Sequence, residues 1–101
     1  METWRDDLVK RTGQDSWAGD SLGDDVYYVS MGRGHAATDW QDAVSMVASA
    51  HAALLNHFDK SILYVSVPYW EDSELRWACM GPSEDVAVDR EHGTDILPPA
   101  N

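Results

Sequence analysis

The side chains best suited to catalysis or metal binding in this 101-residue chain are four histidines and a single cysteine. His51 and His57 stand six residues apart in a segment with helical periodicity. That spacing places them about 240° apart around a helix axis, so one metal ion cannot bind both. His35 and His92 lie in predicted loops near carboxylates, a pairing that arises often by chance in so acidic a chain. We therefore predict no metal site and no cofactor.

Cys79 could form a nucleophilic pair with His35 or His51, in which the imidazole takes the thiol proton. However, Cys79 alternates in phase with Leu75 and Trp77 along a predicted strand, which favours a buried thiol. Pairs of adjacent acids fall in polar segments, where both carboxylates would be solvated and neither would be tuned as an acid or a base. The sequence thus predicts a protein that is not an enzyme. A small enzyme that uses His or Cys is the alternative.

A glycine-containing stretch, "GRGHAA" at residues 32–37, matches the G-x-G-x-x-A pattern of dinucleotide-binding loops. It follows a predicted strand and precedes a predicted helix. That helix is expected to begin at Thr38, so the glycines stand about a turn too early to bring a phosphate to its N-terminus. Asp39 and Asp42 would also repel a phosphate. We interpret the stretch as a flexible loop between strand and helix.

Acidic residues dominate the composition, with 18 acids against 7 bases and a formal net charge of −11. A charge of this sign disfavours binding to nucleic acid or to an anionic membrane. The N-terminal residues lack the pattern of a secretory signal, no apolar run is long enough to span a membrane, and the lone Cys79 agrees with a reducing compartment. These features predict a cytoplasmic protein whose partner is a basic protein surface.

The clearest structural element is an amphipathic helix over residues 38–58. Thr38 and Gln41 fit a capping box at its start. Its apolar stripe repeats every three or four residues and consists of Trp40, Val44, Val47, His51, Leu54 and Phe58. Apart from His51, we expect this stripe to pack against the sheet.

Three segments have the composition of β-strands: residues 26–31, 61–69 and 74–80, the last two joined by a short hairpin. The fold class predicted is α+β, a single small domain over residues 1–101 with one long helix on a roughly three-stranded sheet in the order strand-helix-strand-strand. The first two strands run parallel if they are neighbours, whereas the sheet is antiparallel if the third lies between them. Residues 1–25 are expected to be partly loop, with a possible short helix at 3–11 and loop at 13–25. Residues 86–88 hint at a further strand, and residues 90–101 are expected to be an extended tail.

The acids cluster towards the C-terminus, where residues 71–101 hold eight acids and two bases. The stretch "PYWEDSELRW" at 68–77 places carboxylates beside tryptophans, a combination typical of protein-binding surfaces. Solubility of a hairpin tip is the simpler explanation of the same residues. The predicted partner-binding residues are Tyr69, Trp70, Glu71, Asp72, Glu74, Glu84, Asp85, Asp89 and Glu91.

Size and charge together suggest a non-enzymatic inhibitor that occupies the basic surface of a nucleic-acid-binding protein, as a DNA mimic does. The chain length and net charge are similar to those of small acidic phage proteins that inhibit restriction or CRISPR systems. An immunity protein that neutralises a basic toxin nuclease is an alternative. The sequence leaves the partner's identity and the oligomeric state open.

Overall fold

A five-stranded mixed sheet forms the centre of the protein, with its strands in the order β1-β2-β3-β4-β5. The computed structural model describes residues 3–21, 26–32, 34 and 36–89. The elements are α1 (Trp4–Thr12), β1 (Ala18–Ser21), β2 (Tyr27–Ser30), α2 (Trp40–Leu54), β3 (Leu63–Glu71), β4 (Glu74–Met80) and β5 (Val86–Asp89). The α+β class is confirmed. The prediction of one helix on three strands was wrong in number, because the described residues form two helices and five strands.

The crossover through α2 joins two neighbouring parallel strands. β2 pairs with β3 in parallel, with Tyr27 opposite Leu63 and Ser30 opposite Ser66. Every other neighbouring pair in the sheet is antiparallel. The structure therefore decides between the two arrangements that the sequence left open, in favour of direct pairing of the first two predicted strands.

The long helix α2 begins two residues later and ends four residues earlier than predicted. Its N-cap is Asp39, whose carboxylate accepts a hydrogen bond of 2.8 Å from the amide of Asp42. The amide of Thr38, the predicted cap, instead donates to the Asp42 side chain. An Asp at this position satisfies a free helix amide and complements the positive end of the helix dipole.

The buried face of α2 is also rotated from the predicted stripe. Val47 and Leu54 are fully buried as expected, but Val44 is only half-buried and lies on a surface cleft beside Trp40. Small side chains take the central positions, since Ala43 and Ala50 are fully buried. Alanines let the helix backbone approach the sheet closely, so they make the contact that the larger Val44 was expected to make.

The N-terminal quarter contains more regular structure than predicted. Thr3 and Asp6 form a reciprocal capping box for α1, and Gly13 ends the helix with a φ of 73°. The predicted loop at 13–25 was wrong at residues 18–21, which form edge strand β1. A Cβ at Gly19 would lie 2.6 Å from the Tyr27 hydroxyl oxygen, so glycine lets that ring lie over the strand.

Successive side chains of each strand lie on alternate faces of the sheet. The helices pack on the side that presents Leu63, Val65 and Val67 from β3 and Ala78 and Met80 from β4. The opposite side presents Tyr28, Pro68 and Trp77, which are also buried. In the described part of the chain, α2 is the longest helix at 15 residues, short of the roughly 20 that a bilayer crossing needs, and no helix there could span a membrane.

Candidate functional site

The β3–β4 hairpin turns tightly through Asp72 and Ser73. Both residues have positive φ, 51° and 67° respectively. Two consecutive positive values are typical of a type I′ turn, whose twist matches that of the flanking strands. Asp tolerates the left-handed region better than most residues, and the turn leaves its carboxylate exposed. The tip is thus a tight two-residue turn.

Arg76 holds two of the three tip carboxylates. Its Nη2 donates a hydrogen bond of 3.1 Å to Glu74, and its Nε lies 3.2 Å from a Glu71 oxygen in an ion pair without hydrogen-bond geometry. Its side chain is only 12% exposed, whereas the two glutamates reach solvent. Arg76 therefore offsets one negative charge and restrains both glutamates on the side of the sheet that carries the helices.

The two aromatic residues predicted at this site have different environments. Trp70 is 50% exposed and lies on the side of the sheet opposite the helices, across from Leu75. Tyr69 is 1% exposed, and its ring centroid lies 5.4 Å from that of Trp40. Trp70 is accessible to a partner, whereas Tyr69 belongs to the core and supports the hairpin from beneath.

The start of α2 lies at the same end of the sheet as the hairpin tip. Ala37 forms a parallel bridge to Tyr69, in which the Ala37 amide donates to Pro68 and the Ala37 carbonyl accepts from Trp70. We call the exposed carboxylates at this end the hairpin-end cluster; its members are Asp39, Asp42, Glu71, Asp72 and Glu74. The first two were not among the predicted partner-binding residues, because the sequence shows them only as acids at the start of the predicted helix.

Glu84 and Asp85 lie at the other end of the sheet. They precede β5, beyond the C-terminal end of β4, about 20 Å from the tip at the usual rise of a strand. Glu84 forms a 3.3 Å ion pair with Lys60. Asp89 stands opposite Trp77 in the register, part-way along the sheet, and Glu91 lies outside the described residues. The structure thus unites residues 70–74 and separates residues 84 and 85 from them.

A second charged cluster, missed from the sequence, joins the two helices. The carboxylate of Asp7 on α1 is 3.0 Å from Arg11 Nε and 3.1 Å from Nε2 of His57, which follows α2. Hydrogen bonds from Arg11 and then His57 lower the pKa of Asp7 below its usual 3.8. No local pattern indicates this cluster, because Asp7 and His57 are 50 residues apart.

The residues considered for catalysis are not brought together. Cys79 pairs with Ser66 on the side of the sheet away from the helices, whereas His51 is buried on α2 on the other side. The sheet therefore separates this thiol from this imidazole. His35 and His92 lie outside the described residues. Among residues 3–21, 26–32, 34 and 36–89, no three His, Cys, Asp or Glu side chains are grouped as a metal site.

The glycine-containing stretch at 32–37 is separate from the helix N-terminus. The Gly32 amide donates 3.2 Å to the hydroxyl of Ser16, and the N-cap of α2 follows only at Asp39. The geometry of its described residues agrees with a connecting loop. Arg33 and His35 within it lie outside the described part of the chain.

Comparison of the chain with protein-family models, with curated proteins and with solved structures gave no match. Among the described residues, the hairpin-end cluster is the candidate binding surface, and Trp70 is exposed on the opposite face of the same hairpin.

Proposed function

We propose that the protein is a non-enzymatic binding protein that occupies the basic surface of a nucleic-acid-binding protein and competes there with phosphates. The observation that carries this proposal is the convergence of two chain segments at the hairpin end. Five exposed carboxylates from the start of α2 and the β3–β4 turn lie at this end of the sheet, and Trp70, half-exposed on the opposite face, precedes the turn in β3. An inhibitor of a phage-defence nuclease is the type of molecule that this arrangement suits.

Charge and shape each contribute to such binding. Clustered carboxylates attract arginine and lysine over distances of about 10 Å at moderate salt, which speeds association. An exposed tryptophan supplies a large contact area, as aromatic anchors do at protein interfaces. The net charge of −11 adds to the attraction at long range.

Preorganisation of the surface supports the same proposal. The tip has a tight turn, the glutamates are restrained by Arg76, and Asp39 and Asp42 are held by helix capping. Groups that are already ordered lose little conformational entropy on binding, so more of their interaction energy remains as affinity.

Affinity capture with matched charge variants tests the proposal. Asp72→Lys with Glu74→Lys reverses two charges at the hairpin end, and Glu84→Lys with Asp85→Lys reverses two at the opposite end. The expected result is that wild type and the Glu84→Lys, Asp85→Lys variant both capture a basic protein, whereas the Asp72→Lys, Glu74→Lys variant does not. Duplex DNA should displace this basic protein from wild type. Equal retention by both variants, or retention that duplex DNA does not affect, would contradict the proposal.

A further inference from the structure

His51 lies in the last turn of α2 in an environment unusual for a titratable side chain. The residue is 2% exposed, and its Nε2 is buried without a hydrogen-bond partner in the structure. An imidazole that is neutral has one donor and one acceptor nitrogen, whereas the protonated ring has two donors and a charge. Burial without a partner therefore tolerates the neutral ring and opposes the charged one.

The groups that face His51 from the sheet are apolar. α2 packs on β3 and β4, which at this end present Leu63, Val65 and Met80 on the shared side. The charged side chains of that side, Arg76 with its two glutamates, lie at the hairpin end. On β2, Tyr27 is stacked on Phe58 with centroids 4.6 Å apart.

The two charged groups that act on the pKa of His51 are paired with each other. Glu84 and Lys60 act on it in opposite directions, and they form a half-exposed ion pair of 3.3 Å. On α1, Asp7 is held by Arg11 and His57. Of the described carboxylates around this end of α2, Glu84 and Asp7 have other cations as partners, and Asp59 accepts hydrogen bonds from the amide and hydroxyl of Ser61. A proton on His51 would therefore be buried without a paired charge.

We propose that His51 is an acid-sensitive switch, whose neutral ring holds the last turn of α2 on the sheet and whose protonation releases that turn together with the loop that carries Glu84. Release of the turn gives the charged ring access to water. The switch lies at the end of α2 opposite the hairpin-end cluster, so it does not depend on the proposed binding function.

The direction of the pH dependence follows from linkage. Burial lowers the pKa of His51 below its usual 6.5. In the released form His51 has its ordinary pKa, so its ring binds a proton at a pH at which the ring of the closed form remains neutral. The neutral ring therefore contributes fully to the stability of the closed form above about pH 6.5. This contribution is progressively lost as the pH falls from there towards the pKa of His51 in the closed form. The equilibrium constant for opening rises by up to about tenfold per pH unit over this range.

Amide hydrogen exchange combined with NMR titration of the histidine rings tests the switch in the full chain. Between about pH 7.5 and about pH 5, after correction for intrinsic exchange rates, opening of residues 51–54 should increase by up to about tenfold per pH unit, while that of residues 64–67 in β3 should change less. His57→Gln, which removes the other histidine at this end, should retain the effect. His51→Leu should abolish it.

Two outcomes would overturn the proposal. One is a His51 ring that titrates in wild type at or above its ordinary pKa, which requires no variant to fold. The other is acid-induced opening of residues 51–54 that is as large in His51→Leu as in wild type.

Discussion

Nε2 of His57 lies 3.1 Å from a carboxylate oxygen of Asp7, and this contact joins α1 to the turn after α2 across 50 residues of sequence. Arg11 binds the other oxygen of the same carboxylate. Asp7 therefore joins the N-terminal helix to the turn after α2 through a charged contact.

Asp7 should make the fold sensitive to strong acid. Its folded pKa is depressed below the unfolded value of 3.8, so its contribution to stability is present above that value and is lost as the pH falls through the folded pKa. Asp7→Asn should lower the urea midpoint at neutral pH, and the difference from wild type should shrink below about pH 3.8. Asp15→Asn, at an exposed loop position, is the control and should match wild type at neutral pH.

The position of the buried face of α2 can be tested by truncating side chains to alanine. Leu54→Ala should lower the free energy of unfolding by about 2–5 kcal/mol, because a fully buried side chain leaves a cavity. Val44→Ala, at a half-buried position, should cost roughly 1 kcal/mol or less. Urea denaturation of both variants measures the difference. Equal losses of unfolding free energy in the two variants would place Val44 in the core and contradict the observed position of the buried face of α2.

The tip should be stabilised by glycine at its second position. Ser73 has a φ of 67°, where an L-residue is strained, so Ser73→Gly should raise the free energy of unfolding by about 0.5–1 kcal/mol. Ser45→Gly, at an exposed position of α2, should instead lower it by roughly 0.5 kcal/mol. Thermal and urea unfolding report both signs, and a loss of stability in Ser73→Gly would count against the type I′ turn.

Charge reversal at the tip should affect association far more than stability. Glu71→Lys, Asp72→Lys and Glu74→Lys together should lower the melting temperature somewhat, because Arg76 is only 12% exposed and loses both carboxylate partners, while relief of the net charge of −11 offsets part of that cost. With a captured basic partner, the wild-type association rate should fall steeply as salt increases, and the variant should associate slowly with little salt dependence. Surface-based kinetics at several salt concentrations measure this. Equal association rates would assign these acids to solubility.

Binding should not require the cysteine or a metal ion. Cys79→Ala is expected to retain full binding to a captured partner, at a stability cost of about 1 kcal/mol from the small cavity. Addition of a chelator should have no effect on binding. A folded Cys79→Ala variant that no longer binds would contradict a purely charge-based interface.

Several elements could be predicted because their signals are local. The three-and-four spacing of apolar residues predicted α2, and alternation with β-branched residues predicted β3 and β4 and the hairpin between them. The concentration of acids around residues 71–74 is likewise a property of adjacent residues. Strand β1 escaped prediction because "AGDS" has little strand propensity of its own, and its pairing with β2 overrides that preference.

The sequence by itself determined α2, β2, β3 and β4 to within a few residues, and it determined where charge accumulates along the chain. The tertiary structure alone decided that β2 pairs with β3, that Asp39 and Asp42 join the tip, and that Glu84 lies at the opposite end with Lys60. The first two relationships depend on backbone hydrogen bonds between distant segments, which are nearly independent of side-chain identity, and the third includes a side-chain ion pair. Which segments pair is decided by the burial of whole faces of helices and sheet at the same time, so no local sequence pattern predicts the pairing.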